Sequence, residues 1–224
     1  MSVELHGFCD PRFQPLKDAF AANFEDGLEV GAPVAMTHHG RPVVDLWAGH
    51  ADFARTRAWE KDTIVLVFSS TKVPLALCML KLIDEGRVEL DAPVATYWPE
   101  FAAGGKDHVT VREAMSYRGG VPGFEPPIPF EALRDWRAMT ANLAAQTHWF
   151  GGEARLCYHP VTHGFLLGEI IRRVDGRMPS QFFRETFAEP AGDQHLSLWE
   201  RCAGRDPHDR GRDPRLLRRA VRAA

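Results

Sequence analysis

No stretch of about 20 consecutive apolar residues occurs in the 224-residue chain, so none of it is expected to span a bilayer. Charge of one sign is equally scarce. The chain has 27 Lys and Arg against 30 Asp and Glu, a formal charge of -3 and a pI near 6.4, which gives no basis for nucleic acid or an anionic membrane as partner. The four cysteines, Cys9, Cys78, Cys157 and Cys202, form no C-x-x-C pair and no zinc-like spacing, so free thiols are expected. Cys78 sits in an apolar segment, where a thiol behaves as a small hydrophobe. Met1 to Phe13 lacks a basic region followed by an apolar core, and the expected location is therefore cytoplasmic. No internal repeat is visible. What remains is an ordinary globular mixture, 45% hydrophobic and 25% charged, enough for one large domain or two small ones.

The periodicity of the chain changes along its length. Between Pro11 and Phe24 the residues Phe13, Leu16, Phe20 and Phe24 recur at helical spacing. Strand-like runs at Pro33 to His38 and Val43 to Gly49 flank a turn at His39-Gly40-Arg41-Pro42, which predicts a hairpin with His38 and His39 at its surface. Val73 to Glu85 is apolar nearly all round, which predicts a buried helix stopped at Gly86. Pro74 fits only in that helix's first turn, so Ser69 to Lys72 falls at or just before its start. Asp91 to Phe101 reads as an ordered loop packed by Tyr97. Thr110-Val111-Arg112-Glu113 is a capping box. Gly119 to Pro129 is rich in turn residues, and further helical stretches are expected over Phe130 to Trp149, Pro160 to Val174 and Pro179 to Phe187. Arg201 to Ala224 carries eight arginines and no lysine, without apolar period, and reads as an irregular tail.

Ser69 and Lys72 stand three residues apart and face the same way on a helix. A serine hydroxyl needs a neighbouring base to become a nucleophile, and a lysine serves if burial disfavours its ammonium form. Such a pair arises by chance in many chains of this length, so its context decides. His159 and His163, at i and i+4, have the spacing of a metal-chelating pair, but no third ligand accompanies them. Trp149 is a candidate for lining an acyl pocket or for simple packing.

That context is specific. The run Phe68-Ser-Ser-Thr-Lys-Val-Pro-Leu-Ala-Leu, then Leu82-Ile-Asp-Glu-Gly-Arg-Val-Glu-Leu-Asp-Ala-Pro-Val and Tyr97-Trp-Pro-Glu-Phe, resembles the active-site helix and following loop of class C β-lactamase-like proteins. Thr110 to Gly123 and Tyr158-His159-Pro160 resemble later motifs of the same superfamily, particularly of its family VIII carboxylesterases, and the resemblance covers roughly Gly31 to Pro190. It implies an α/β fold, an α+β sandwich of the β-lactamase/DD-peptidase kind with an antiparallel sheet flanked by helices plus a helical lobe. The expected layout is one incomplete domain over 1–200, with helix and hairpin in 1–60 and the lobe in 61–200. A tail is expected over 201–224, with the C-terminal strands of the family expected to be missing.

The resemblance further implies that Ser69 forms an acyl-enzyme, that Lys72 assists its deprotonation, and that Tyr158 shares the proton and passes it to the leaving group. Tyr117, standing where the family usually has histidine, is a rival for the base. The main-chain N–H of Ser69 is implied as half of an oxyanion hole. The resemblance implies no metal or cofactor, and a small ester or lactam as partner. Pro160, two residues after the tyrosine, offers no side-chain donor, which favours esters over β-lactams. A β-lactam hydrolase and a non-catalytic member that binds or slowly acylates stay open as alternatives.

Overall fold

The structure, a computed structural model, describes residues 3–193; the arginine-rich tail and Cys202 lie outside them. The described residues form two compact units, 3–66 and 67–193.

In the first unit, β2 (Gly31–His38) and β3 (Arg41–Gly49) form the expected hairpin, closed by the pair His38–Arg41. The turn is tighter than the four residues expected. Only His39 and Gly40 lie between the strands, both at positive φ (48° and 72°), the two-residue turn whose twist matches paired strands. A third strand that periodicity did not reveal, β1 (Leu5–Cys9), pairs antiparallel with β3, giving the order β1-β3-β2. Its central residue is Gly7 at φ 94°, where a Cβ would sit 1.9 Å from the Asp45 carbonyl oxygen, and it is too exposed to show alternation. Along β3 the side chains of Val44, Leu46 and Ala48 alternate inward. They meet Phe20 of α1 (Gln14–Glu25), together with Phe13, Leu16 and Phe24. Pro11–Phe13 forms a 3-10 turn ahead of that helix, with Asp10 accepting from the Arg12 N–H.

The second unit is helical. α2 (Lys72–Asp84) has Pro74 in its first turn and ends before Gly86 at φ 69°. It is not buried on every face, as its composition suggested. Pro74, Leu75, Cys78, Met79 and Leu82 are buried, whereas Val73, Leu77 and Leu80 form an exposed apolar stripe. The difference is geometric: packing covers one side of a 13-residue helix, and among the described residues nothing seals the other. Cys78 is fully buried and burial pushes its thiol up to about 12, so it packs as a hydrophobe.

The capping box is present in full: the Thr110 side chain accepts from the Glu113 N–H, and the Glu113 carboxylate accepts from the Thr110 N–H, opening α3 (Val111–Met115). The loop before it is packed as expected, with the Tyr97 hydroxyl accepting from the Glu89 N–H at 2.7 Å. α4 (Trp136–Ala145) is shorter than the expected Phe130 to Trp149 stretch. Phe130–Arg134 is a 3-10 turn, and the backbone leaves the helix at Gln146 so that the His148 N–H donates to the Gly104 carbonyl. α5 (Thr162–Asp175) buries Phe165, Leu166, Leu167, Ile170 and Ile171 against α2 and α4, and stops at Gly176. α6 (Pro179–Phe183) runs on into a π turn over Arg184–Ala188.

Candidate active site

Ser69 lies in the 3-10 turn Phe68–Thr71, one turn before α2. Phe68 carries φ 44°, a left-handed backbone that a bulky residue rarely adopts. The Thr71 hydroxyl donates to the Phe68 carbonyl at 2.6 Å and helps hold this shape. Because Lys72 opens the α-helix directly after the turn, its side chain rises on the same side as Ser69. The Lys72 ammonium donates to Ser69 Oγ at 3.2 Å and to the Pro160 carbonyl at 2.9 Å. Pro160, read from sequence only as a lost side-chain donor, thus contributes a main-chain acceptor. Lys72 is half-buried. The burial that the sequence argument invoked is therefore only partial.

Tyr158, 89 residues further along, completes the cluster. Its hydroxyl donates to Ser69 Oγ at 2.6 Å, and the Lys72 ammonium lies 5.0 Å from its ring centroid. The bond to Ser69, followed by the nearby Lys72 cation, holds its phenol below the ordinary tyrosine range. Tyr117 is close by without sharing the contact. Its ring meets that of Tyr158 edge-on at 5.2 Å, its hydroxyl takes no hydrogen bond among the described residues, and burial followed by the Tyr158 charge raises its phenol. Environment therefore shifts the two phenols in opposite directions, Tyr158 down and Tyr117 up. A hydroxyl touched at once by an amine and a phenol is equipped for nucleophilic attack with proton transfer.

The two histidines differ in their surroundings. His159 is fully buried with both ring nitrogens engaged, one at 2.6 Å from the Cys157 carbonyl and one accepting from the Val121 N–H at 3.3 Å. His163 is 2% exposed, and neither of its nitrogens meets a hydrogen-bond partner among the described residues. Burial holds its imidazole down to about 4; the Met115 main chain lies near enough to pull it upward but makes no hydrogen bond of ordinary geometry with it. No group of three or more His, Cys, Asp or Glu among the described residues is placed to hold a metal. Cys157 and Cys9 are free thiols, Trp149 is half-exposed beside Gly123, and Glu113 is used in its cap. No helix among the described residues is long and apolar enough to cross a membrane.

A small antiparallel sheet with a helix on it, and a helical unit presenting serine, lysine and tyrosine together, define a scaffold of the β-lactamase and penicillin-binding-protein kind. The chain belongs to the Beta-lactamase family, which it matches over residues 20–223. That match extends past Pro190, where the resemblance was expected to stop, and through most of the arginine-rich segment. The chain is 38% identical over 205 residues to the esterase/beta-lactamase LipL of Mycobacterium tuberculosis, aligning 91% of this chain with 46% of that protein. Among solved structures it resembles a penicillin-binding protein homologue from Caulobacter crescentus (TM-score 0.81, 44% identity, 84% of this chain and 51% of that one). It also resembles a family VIII carboxylesterase (TM-score 0.80, 43% identity, 84% and 52%). The chain spans about half the length of these relatives. The expected α/β fold is the one these likenesses share.

Proposed function

We propose that this chain carries the acylation centre of a serine hydrolase that cleaves small carboxylic esters through an acyl-enzyme on Ser69. The observation that supports this most is the meeting of two proton-handling groups, Tyr158 at 2.6 Å and Lys72 at 3.2 Å, on one hydroxyl oxygen. In the reaction, the coupled Tyr158–Lys72 pair accepts the Ser69 proton as Oγ bonds to the ester carbonyl carbon. The carbonyl π electrons move to oxygen, where the Ser69 N–H is a donor for the developing charge. Collapse expels the alcohol, which takes the proton from Tyr158. Water then attacks the acyl-enzyme, giving its proton to the same pair; Ser69 recovers it as the carboxylic acid departs.

Ester over lactam is favoured by Pro160 and by the names of two relatives, an esterase/beta-lactamase and a carboxylesterase. The first of those names also supports a second reading, β-lactam hydrolysis at the same serine. The test is to incubate the chain with a fluorophosphonate and read the mass of the Ser69 peptide, then to compare p-nitrophenyl butyrate with nitrocefin. The expected outcome is one adduct on Ser69, absent in Ser69→Ala, with butyrate turned over faster. Labelling that survives Ser69→Ala removes this nucleophile, and nitrocefin turned over faster replaces ester with lactam.

A further inference from the structure

Tyr158 is carried by a segment without regular secondary structure, residues 152–159, lying between α4 and α5. A phenol on an irregular and largely exposed loop does not stay 2.6 Å from a serine without anchors, and the anchors are identifiable. The Cys157 N–H donates to the Tyr117 carbonyl at 3.0 Å. On the other side of Tyr158, the His159 ring enters the core and is 0% exposed. There it spans two loops, as its Nε2 meets the Val121 N–H at 3.3 Å and its Nδ1 meets the Cys157 carbonyl at 2.6 Å. Thr162 adds a bond from its hydroxyl to the Val121 carbonyl at 2.6 Å.

The directions of these bonds fix the state of the imidazole. A main-chain N–H only donates, so Nε2 is the acceptor and carries no proton. Nδ1 therefore holds the ring's single proton and gives it to the Cys157 carbonyl, which itself cannot donate. His159 is thus satisfied on both edges in one neutral tautomer. It ties the residue before Tyr158 to the loop over Gly119–Val121, while Tyr117 packs its ring against Tyr158 from that loop's start.

We propose that His159 is a positioning residue for the reaction at Ser69: as a neutral Nδ1–H imidazole, it buckles the Cys157–Tyr158 segment onto Val121 and so holds the Tyr158 hydroxyl on the nucleophile. This rests on the acyl-enzyme reading, because it assigns to His159 the task of aiming Tyr158. Both ring nitrogens of His159 are thereby engaged with main-chain groups. Burial lowers its basicity, which keeps the acceptor edge free of a proton near neutrality.

Two measurements test it. Long-range nitrogen–proton NMR spectra of the histidine-labelled chain are expected to show His159 as the Nδ1–H tautomer at pH 7. An Nε2–H or doubly protonated ring overturns the proposal, whatever the enzyme does. Kinetics on p-nitrophenyl butyrate then separate aiming from folding. His159→Phe keeps the ring and loses both bonds, and kcat is expected to fall by roughly 10- to 100-fold with KM within about twofold, the scale set by small misplacements of a reacting group. His159→Asn keeps a donor near the Cys157 carbonyl and is expected to recover part of that loss. Should His159→Phe not fold, His159→Asn against His159→Gln carries the same comparison, since Gln reaches the Val121 N–H but lacks the Nδ1-like donor; both are expected below wild type in kcat. If Tyr158→Phe costs more than 100-fold while folded His159 variants stay within twofold of wild type, His159 does not aim it and the proposal is wrong. If Tyr158→Phe is itself harmless, it is the acyl-enzyme reading that fails, and the NMR result still decides the tautomer.

Discussion

His163 makes the acid sensitivity of this chain calculable. It is 2% exposed, lies 4.7 Å from the Tyr117 ring, has neither nitrogen hydrogen-bonded among the described residues, and burial holds its imidazole down to about 4. In the unfolded chain a histidine titrates near 6.5. Between those values the unfolded state binds a proton that the folded state refuses, so folding stability rises with pH across the window and falls as the solution is acidified. The contribution is fully present above about pH 6.5 and is lost by about pH 4. At about 1.4 kcal/mol per pH unit, His163 alone costs roughly 2 kcal/mol between pH 6.5 and pH 5, before carboxylates begin to titrate. His159 and His148 are lowered by burial as well and add to the slope, whereas half-exposed His108, raised by its bond to the Gly152 carbonyl, opposes it.

The perturbation is His163→Leu, which removes the titrating group and the two unpaired nitrogens at similar volume. Urea unfolding of both proteins at pH 7.5, 6.5, 5.5 and 5.0, followed by far-UV circular dichroism, gives the stabilities. The variant is expected to match or exceed wild type at pH 7.5 and to lose about 2 kcal/mol less on going to pH 5. Parallel pH slopes in the two proteins would refute the reasoning, because they would mean that His163 takes up its proton in the folded state as readily as in the unfolded one.

Exchanging the phenols tests the opposite environments of the two tyrosines: Tyr158→Phe is expected to reduce kcat on p-nitrophenyl butyrate by about 100-fold or more, and Tyr117→Phe, which keeps its ring, by only a few-fold. Comparable losses in the two would mean that both hydroxyls handle the proton. Lys106, fully buried, donates to the carbonyls of Ala103, Ala144 and Gln146, so Lys106→Met strands three acceptors. A loss of about 3 kcal/mol is expected in urea unfolding at pH 7, and a loss below about 1 kcal/mol would show that the carbonyls find other donors.

Local chemistry was legible in the residues alone wherever the signal is short-ranged. The hairpin around His39-Gly40, the Thr110–Glu113 capping box and the stop at Gly86 each depend on backbone sterics or on a side chain bonding within a few residues, so composition and spacing suffice to place them, although the turn closes with two residues where four were expected. Ser69 and Lys72 belong to the same category, three residues apart across a helix start. Strand β1 was not legible, because a five-residue edge centred on Gly7 has no alternation to show and exists only through its pairing with β3. The exposed stripe of Val73, Leu77 and Leu80 was misread for a related reason: apolar composition states what a helix is able to bury, while the neighbours decide which face is buried.

The sequence by itself therefore determined most of the elements, the serine–lysine pair and the candidates Tyr158 and Tyr117, but neither β1 nor the bounds of α4. Only the tertiary structure brought the Tyr158 hydroxyl rather than that of Tyr117 onto Ser69, made the Pro160 carbonyl an acceptor for Lys72, and bonded both ring nitrogens of His159 to main-chain groups. Each of those outcomes depends on a hydrogen bond or ring contact between residues 38 to 89 apart in the chain. Such contacts are set by how α2, α5 and the intervening loops pack, and no local pattern encodes that packing.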